Sequence, residues 1–295
     1  MKELKVAQSA GFCFGVSRSV KMAEEMLSEE TSCFSFGELI HNADVVRYLE
    51  QKGLRVTEDP AALSKDDAVI IRSHGITKAL CDRLAETGAK LVDATCPRVK
   101  HIHNIVVEAS EQHRQPVIIG AKDHPEVQAI CGWCQNPVVA GDPAELESLI
   151  RAGTIDADQP ITMVIQTTQT KEKLLKCEEV LHRLCKDVEI HETICGATST
   201  RQNEARSLSM SCGAMIVIGA KHSANSRHLN EICLQNCSNV QFIENASQLD
   251  LNLLKGVETV GLTAGASVPA WVIEEVIQTV QTENSPHGRS SIAEK

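Results

Sequence analysis

The sequence lacks any apolar run that approaches the roughly 20 residues needed by a membrane-spanning helix. Its first residues, Met-Lys-Glu-Leu-Lys-Val, also lack the apolar core of a secretory signal peptide and resemble the start of a β-strand. Hydrophobic residues make up 42% of the chain and charged residues 23%, as in globular proteins. We therefore expect a cytoplasmic protein, and the length of 295 residues predicts two or three domains.

An excess of positive charge is also missing. The chain has 29 Lys and Arg against 39 Asp and Glu, which leaves a formal net charge of −10. A general nucleic-acid-binding protein would present a basic surface, so this class of protein is not favoured. A small anionic ligand is compatible with the charge, because N–H groups and imidazoles around a site can outweigh the field of the whole chain.

Closely spaced cysteine pairs are nearly absent, although the chain has twelve cysteines. Only Cys131-Gly-Trp-Cys134 has zinc-knuckle or redox spacing, and no second pair completes a metal site, so we do not expect it to bind metal. Cys233 and Cys237 lie four residues apart on a predicted helix, which we interpret as coincidence. Without an export signal, cysteines indicate metal binding, catalysis or small buried side chains rather than disulfides. We predict this last, unreactive role for Cys33, Cys81, Cys177, Cys185, Cys212 and Cys233.

Strand-like and helix-like segments alternate along the whole chain, and short β-branched runs end in polar loops. This order predicts an α/β fold with mostly parallel sheets, in which ligands bind beyond the carboxyl ends of the strands. An internal repeat is visible, since Ile-Ile-Gly-Ala-Lys at 118–122 returns as Val-Ile-Gly-Ala-Lys at 217–221. The predicted strands are 4–8, 32–37, 68–72, 90–92, 117–119, 161–165, 188–191, 214–218 and 259–262.

A threefold spacing places polar residues at equivalent strand ends. Cys13, Cys96 and Cys195 each lie between a predicted strand and a predicted helix. Each is followed after 28 residues by a polar loop residue, which is His41, His124 or Ser223. After 61, 71 and 72 residues the chain reaches a second set: His74, Thr167 and Ser267. We infer that three repeated units converge on one centre with the three cysteines inside.

Three thiolates that meet in one place would repel each other, so their convergence implies a cation. A helix N-terminus after each cysteine favours the charged form. The distant spacing leaves zinc or an iron–sulfur cluster as the candidates. A [4Fe–4S] cluster with only three cysteine ligands would have one iron with an open position for substrate.

A second group of donors lies on the same loops and suits a phosphate or diphosphate. Its members carry imidazole, hydroxyl or amide groups, and zinc binding by the histidines is the alternative. Glu126 lies two residues after His124, where it could act as a proton donor, with Thr167 beside it. A stabilising charge at a helix start is an equally good explanation for Glu126. The donors are His41, His74, His124, Ser223, Asn225 and Ser267.

The sequence resembles the 4-hydroxy-3-methylbut-2-enyl diphosphate reductase family from about residue 4 to residue 282. The resemblance rests on motifs that occur in order along the chain. They are Ala-Gly-Phe-Cys-Phe-Gly-Val, Gly-Glu-Leu-Ile-His-Asn, Arg-Ser-His-Gly, Asp-Ala-Thr-Cys-Pro, His-Pro-Glu-Val, Gln-Thr-Thr, Ile-Cys-Gly-Ala-Thr and Thr-Ala-Gly-Ala-Ser.

This resemblance implies three similar α/β domains in a pseudo-threefold arrangement around a central [4Fe–4S] cluster. It implies units at 14–96, 97–194 and 195–282, the last joined by the N-terminal strand in 1–13, and we expect a disordered tail at 283–295. It implies cluster ligands Cys13, Cys96 and Cys195, and catalytic roles for Glu126, Thr167 and His124. The implied reaction reduces the substrate to isopentenyl and dimethylallyl diphosphates with electrons from ferredoxin or flavodoxin. The implied substrate-binding residues are His41, His74, His124, Thr167, Ser223, Ala224, Asn225 and Ser267.

Ala224 departs from the family pattern, which has Ser-Ser-Asn-Ser where this chain has Ser-Ala-Asn-Ser at 223–226. Ala224 has no hydroxyl, so one contact to the diphosphate is lost or passes to the main chain, and weaker substrate binding is expected. Two other functions compete with this interpretation. One is a zinc-dependent hydrolase that uses His41, His74 and His124, and the other is a non-enzymatic iron–sulfur or phosphate-ligand sensor.

Overall fold

The computed structural model describes residues 3–283 and divides the chain into two compact units. One unit comprises residues 14–199, and the other comprises residues 1–13 together with 200–295. The tail predicted for residues 283–295 lies outside the described residues from residue 284 onward. Within 3–283 the chain forms twelve β-strands and ten α-helices. They begin with strand β1 (Glu3–Val6), which belongs to the second unit, and helix α1 (Phe14–Glu29), which opens the first.

The unit at 14–199 contains two four-stranded sheets that are built in the same way. The first has the strand order β3-β2-β4-β5 and the second has the order β7-β6-β8-β9, and all pairs are parallel. The elements of the first sheet are β2 (Cys33–Phe36), α2 (Ala43–Gln51), β3 (Leu54–Thr57), β4 (Ala68–Ile71), α3 (Lys78–Glu86) and β5 (Lys90–Asp93). Those of the second are α4 (Pro97–Glu111), β6 (Gln115–Ile119), α5 (Pro125–Cys131), β7 (Val138–Ala140), α6 (Pro143–Arg151), β8 (Ile161–Ile165), α7 (Lys171–Leu184) and β9 (Val188–Ile190).

The unit formed by 1–13 and 200–295 contains the third sheet, with the order β1-β12-β10-β11 and parallel pairing throughout. Read from the other edge, this order matches the two sheets of the first unit, and β1 takes the place of β5 and β9. The division of the chain into three repeated domains remains our prediction. The remaining elements are α8 (Gly196–Ser211), β10 (Ala214–Ile218), α9 (Ala224–Asn236), β11 (Val240–Ile243), β12 (Thr259–Ala264) and α10 (Ala270–Glu283).

Uninterrupted apolar strands form the centre of each sheet. Every residue of β4, β8 and β10 is buried, because helices cover both faces of a parallel sheet. Asn42, Asp142 and Thr170 start helices by accepting main-chain N–H bonds at their side-chain oxygens. Five cysteines are buried and none of the twelve, all within the described residues, forms a disulfide. The buried ones are Cys33, Cys177, Cys212, Cys233 and Cys237.

The predicted fold class is confirmed, since three similar parallel α/β sheets are present. The sequence patterns did not predict β3, β7 and β11, which are edge strands at equivalent positions in the three sheets. These strands are three or four residues long and only partly buried, so they have no continuous apolar run. Helix α5 has only seven residues and no long apolar period, and the sequence indicated it only as a helix start that could explain Glu126. Among residues 3–283, no helix combines the length and apolarity that crossing a membrane would require.

Candidate functional site

Each sheet presents three of the predicted site residues just beyond the carboxyl ends of its strands. In the first sheet these are His41 after β2, His74 after β4 and Cys96 after β5. The second and third sheets have the same arrangement. In each of the three sheets, the cysteine follows a strand at the edge of the sheet. The second sheet contributes His124, Thr167 and Cys195, and the third contributes Ser223, Ser267 and Cys13.

Three histidines of the unit at 14–199 lie together. The ring centroids of His41 and His74 are 4.4 Å apart, and the ring of His124 lies 5.6 Å and 5.5 Å from them. Each ring offers a nitrogen within 4.8 Å of the other two. Because the histidines follow three different strands, the parallel arrangement of the two sheets brings together residues that are distant in sequence.

His124 is held in one tautomer by the helix that it starts. Its Nδ1 accepts a hydrogen bond of 3.1 Å from the main-chain N–H of Glu126. In the neutral ring, the accepting nitrogen has no proton, so the proton is on Nε2. His124 therefore presents an N–H donor at Nε2, which suits an anion, and cannot use that nitrogen as a metal ligand without breaking this bond.

Burial keeps the imidazole of His74 neutral. Burial is the main cause that lowers the pKa of His74 well below its ordinary value, and positive charge on His41, His124 or Arg72 lowers it further. His74 Nδ1 has no hydrogen-bond partner among the described residues. A buried nitrogen without a partner is costly in a folded protein, and a ligand with polar oxygens would satisfy it.

Glu126 and Thr167 form a buried pair beyond the carboxyl ends of the adjacent strands β6 and β8. Glu126 is only 2% exposed, and its Oε1 accepts the main-chain N–H of Thr167 at 2.7 Å. The Thr167 hydroxyl donates to Oε2 at 2.7 Å. Burial raises the pKa of Glu126, while the two bonds from Thr167 act in the opposite direction. A carboxyl group in this environment can hold a proton at a higher pH than an exposed glutamate.

Sequence reasoning did not identify Gln166, although it belongs to the Gln-Thr-Thr motif. The buried amide of Gln166 accepts the Ala121 N–H at 3.1 Å and donates to the Thr168 hydroxyl at 3.0 Å. It therefore joins the loop that leads to His124 with the loop that carries Thr167. Its position directly after a buried strand was the available signal.

The third sheet, in the other unit, holds Ser223, Asn225 and Ser267, all of them buried. Ser223 starts α9 and its hydroxyl accepts the N–H of Ser226 at 3.5 Å. The side-chain oxygen and nitrogen of Asn225 are buried without a hydrogen-bond partner among the described residues. This amide is thus a second candidate for a polar ligand. Ala224 is the first residue of α9 and is also buried.

Cys13, Cys96 and Cys195 have equivalent local surroundings. Each thiol is partly exposed and each residue directly precedes a helix. The main-chain N–H of Cys96 donates to Ser73 at 2.9 Å, that of Cys195 to Thr167 at 3.0 Å and that of Cys13 to Ala266 at 3.1 Å. The acceptors lie within one residue of His74, Thr167 and Ser267. An equivalent main-chain hydrogen bond therefore holds each cysteine next to the polar residue that follows the neighbouring strand of its sheet, which is His74, Thr167 or Ser267. Their convergence remains our prediction.

Comparison with known proteins gives consistent results. The chain matches the family model described as LytB protein over residues 4–281. It is 41% identical to the 4-hydroxy-3-methylbut-2-enyl diphosphate reductase of Caldanaerobacter subterraneus subsp. tengcongensis, over 95% of this chain and 97% of the relative. It is 37% identical to the reductase of the same name from Clostridioides difficile, over 93% of this chain and 97% of the relative.

Two solved structures are similar to the chain along nearly its whole length. One is described as (E)-4-hydroxy-3-methyl-but-2-enyl diphosphate reductase, with a TM-score of 0.70, 36% identity and coverage of 95% of this chain and 99% of the other. The other is the E-1-hydroxy-2-methyl-but-2-enyl-4-diphosphate reductase from Plasmodium falciparum, with a TM-score of 0.89, 25% identity and coverage of 97% and 89%. The chain is therefore an oxidoreductase and belongs to the LytB protein family.

Proposed function

We propose that this enzyme reduces (E)-4-hydroxy-3-methylbut-2-enyl diphosphate to isopentenyl diphosphate and dimethylallyl diphosphate, the last step of the non-mevalonate isoprenoid pathway. The loop 124–126 is the single observation that carries the proposal. It presents an anion-binding N–H at His124 and, two residues later, a buried carboxyl group at Glu126 whose pKa is raised by burial. Both bacterial relatives described above are 4-hydroxy-3-methylbut-2-enyl diphosphate reductases, which supports the same reaction.

The cofactor in this proposal is a [4Fe–4S] cluster held by Cys13, Cys96 and Cys195. The donor set fits the group, because each of these cysteines is a partly exposed thiol that precedes a helix, and Fe–S clusters are held by thiolates. Such a cluster would supply the electrons for the reduction and one iron that has no protein ligand. The other cysteines lie in apolar clusters or have a pKa raised by burial, which makes them poorer thiolate ligands.

The histidines would bind the diphosphate. His124 would donate from Nε2, and the neutral ring of His74 could donate from one nitrogen or become charged beside an anion. The ring of His41 lies next to both of them. Hydrogen bonds from charged groups to phosphate oxygens are shorter and about twice as strong as neutral ones. The buried Asn225 amide, with Ser223 and Ser267, is proposed for the same role, and Ala224 for a contact through its main chain.

Glu126 would supply a proton for the departing hydroxyl. Removal of this oxygen as water consumes two electrons and two protons, one for the oxygen and one for a carbon of the allylic chain. When Glu126 is protonated at Oε2, it donates to the Thr167 oxygen, and the Thr167 hydroxyl proton is then free to point at the substrate. A pKa raised by burial keeps more of the carboxyl group protonated near neutral pH.

A zinc-dependent hydrolase is not favoured, because His124 cannot coordinate at Nε2 while its Nδ1 accepts the Glu126 N–H. A sensor without turnover would have no need for a buried acid beside the anion-binding loop. We further propose ferredoxin or flavodoxin as the electron donor. A cytoplasmic location is part of the same proposal, supported by twelve cysteines that form no disulfide.

The test is anaerobic purification followed by iron, sulfide and zinc analysis and an assay with the substrate and a chemical reductant. We expect about four iron and four sulfide per chain for a [4Fe–4S] cluster. We also expect little zinc and consumption of substrate only when the reductant is present. A colourless zinc protein would support the hydrolase, and a cluster-containing protein that binds the diphosphate without consuming it would support the sensor.

A further inference from the structure

The segment Cys131-Gly-Trp-Cys134 begins at the last residue of α5 and has no part in the proposed reaction. Its thiols are poor candidates for metal or redox chemistry, because burial raises the pKa of Cys131 and raises that of Cys134 to about 12. The Cys134 thiol lies 3.6 Å from the carbonyl oxygen of Ile130 and 3.7 Å from that of Cys131, in an apolar cluster. The two cysteines therefore serve packing, and the residues between them make the polar contacts.

Two hydrogen bonds of this segment reach the chain just after His74. The indole Nε1–H of Trp133 donates to the carbonyl of Ile76 at 2.9 Å. The main-chain N–H of Lys78 donates to the carbonyl of Gly132 at 3.3 Å. Gly132 also touches Thr77 so closely that a Cβ on it would lie 2.3 Å from the Thr77 Cβ. Residues 132 and 133 thus hold three consecutive residues that begin two positions after His74.

His103 fills the space on the other side of Trp133. Its ring stacks on the indole with a centroid distance of 5.0 Å and an angle of 16°. A Cβ on Gly75 would lie 2.9 Å from Cε1 of His103, and Gly75 has a φ of +75°. Only glycine adopts this backbone without strain and leaves room for the imidazole. Gly75, His103 and Trp133 therefore pack against one another in a stack. We call these three residues and Gly132 the Trp133 brace.

Two residues of the brace, Gly132 and Trp133, directly follow the helix that starts at His124 and carries Glu126. Helix α5 begins directly after His124, has Glu126 in its first turn and ends at Cys131. At about 1.5 Å per residue, its seven residues span about 10 Å of rigid backbone. One end of α5 thus bears the proposed proton donor, and the brace at the other end holds the turn of His74.

We propose that Trp133 is a positioning residue that sets the location of His74 relative to His124 and Glu126 for diphosphate binding. The inference rests on the proposed function. Three imidazoles with nitrogens within 4.8 Å of one another can contact one diphosphate only if their spacing is kept. A displacement of about 1 Å can lower activity about a hundredfold at a site that depends on such positioning.

The test compares Trp133→Phe with the intact enzyme, with its cofactor bound. Phenylalanine keeps a ring on His103 but removes the N–H that binds the Ile76 carbonyl. We expect the Kd for inorganic diphosphate, measured by calorimetry, and the KM for substrate to rise together by about tenfold, which corresponds to about 1.4 kcal/mol. We expect kcat to change far less.

Cys134→Ala is the matched control, because it removes a partly buried side chain from the same segment without touching the turn. It should lower the melting temperature to a similar extent but leave diphosphate binding unchanged. Gly132→Ala pushes directly on Thr77 and should repeat the effect of Trp133→Phe. Unchanged diphosphate binding in both brace variants would refute the positioning role, whereas an intact enzyme that binds no diphosphate would refute the proposed function and the inference with it.

Discussion

Thr167 donates two hydrogen bonds to Glu126, one from its main chain and one from its hydroxyl, and each bond fills a different carboxyl oxygen. The residues are 41 positions apart in sequence and both are buried. The main-chain bond holds the carboxyl group in any protonation state. The hydroxyl bond can reverse its direction, because a threonine oxygen both donates and accepts. The pair is therefore built so that one oxygen of Glu126 is fixed and the other can carry a proton.

Glu126→Gln should remove most turnover while keeping substrate binding. Glutamine retains the shape and the bond to the Thr167 N–H but cannot release a proton. General acid catalysis contributes about 10²–10⁴-fold, so we expect kcat to fall within this range and KM to change only a few-fold. Steady-state kinetics and the absorption spectrum of the bound cofactor provide the measurement. Near-normal turnover in this variant would contradict the role of Glu126 as proton donor.

Diphosphate binding should take up protons near neutral pH. In the free protein, burial and neighbouring positive charge keep the pKa of His74 well below its ordinary value of about 6.5, so the ring is neutral. A bound anion favours the charged imidazole and raises this pKa. Between the two values binding is accompanied by proton uptake, and affinity falls as pH rises through this window.

Calorimetry with inorganic diphosphate in two buffers of different ionisation enthalpy measures this proton uptake directly. His74→Asn is the matched variant, since asparagine can donate a hydrogen bond but does not titrate. We expect smaller proton uptake and a weaker pH dependence of affinity in the variant. Proton release on binding, or equal uptake in both proteins, would show that His74 does not change its charge.

The loop of Cys13 is held by two residues of α8, and loss of this support should loosen the cluster that we propose for Cys13. The buried Arg201 donates from Nη2 to the Gly11 carbonyl at 2.6 Å. Glu204 accepts the Ser9 N–H at 2.9 Å and also the Ser9 hydroxyl. Glu204→Gln should weaken the loop by about 1.5–3 kcal/mol, the range for hydrogen bonds to charged groups.

The measurement is iron and sulfide content after anaerobic purification and the rate of cluster loss to a chelator. We expect faster loss in Glu204→Gln at an unchanged far-ultraviolet dichroism spectrum. Arg206→Ala, an exposed change on the same helix, is the control and should behave as the parent protein. Equal rates of loss in all three proteins would indicate that Cys13 does not need this support or does not bind the cluster.

Much of the fold was predictable because its signals are local. Buried central strands such as β4, β8 and β10 are continuous apolar runs, and the residue after each run begins a polar loop. The repeat in spacing then indicated which loop residues are equivalent, including His41, His124 and Ser223. The edge strands escaped because pairing to a neighbour, rather than their own composition, holds them in place.

The sequence alone determined the alternation of strands and helices, the placement of polar residues at strand ends and the threefold spacing. The first two depend on neighbouring residues, and the third can be counted along the chain without any contact being known. The tertiary structure decided what those residues can do. The tautomer of His124, the raised pKa of Glu126 and the hold of Trp133 on the His74 turn depend on burial, local geometry or a partner far along the chain. Such properties arise only after folding has removed water and brought the partners together.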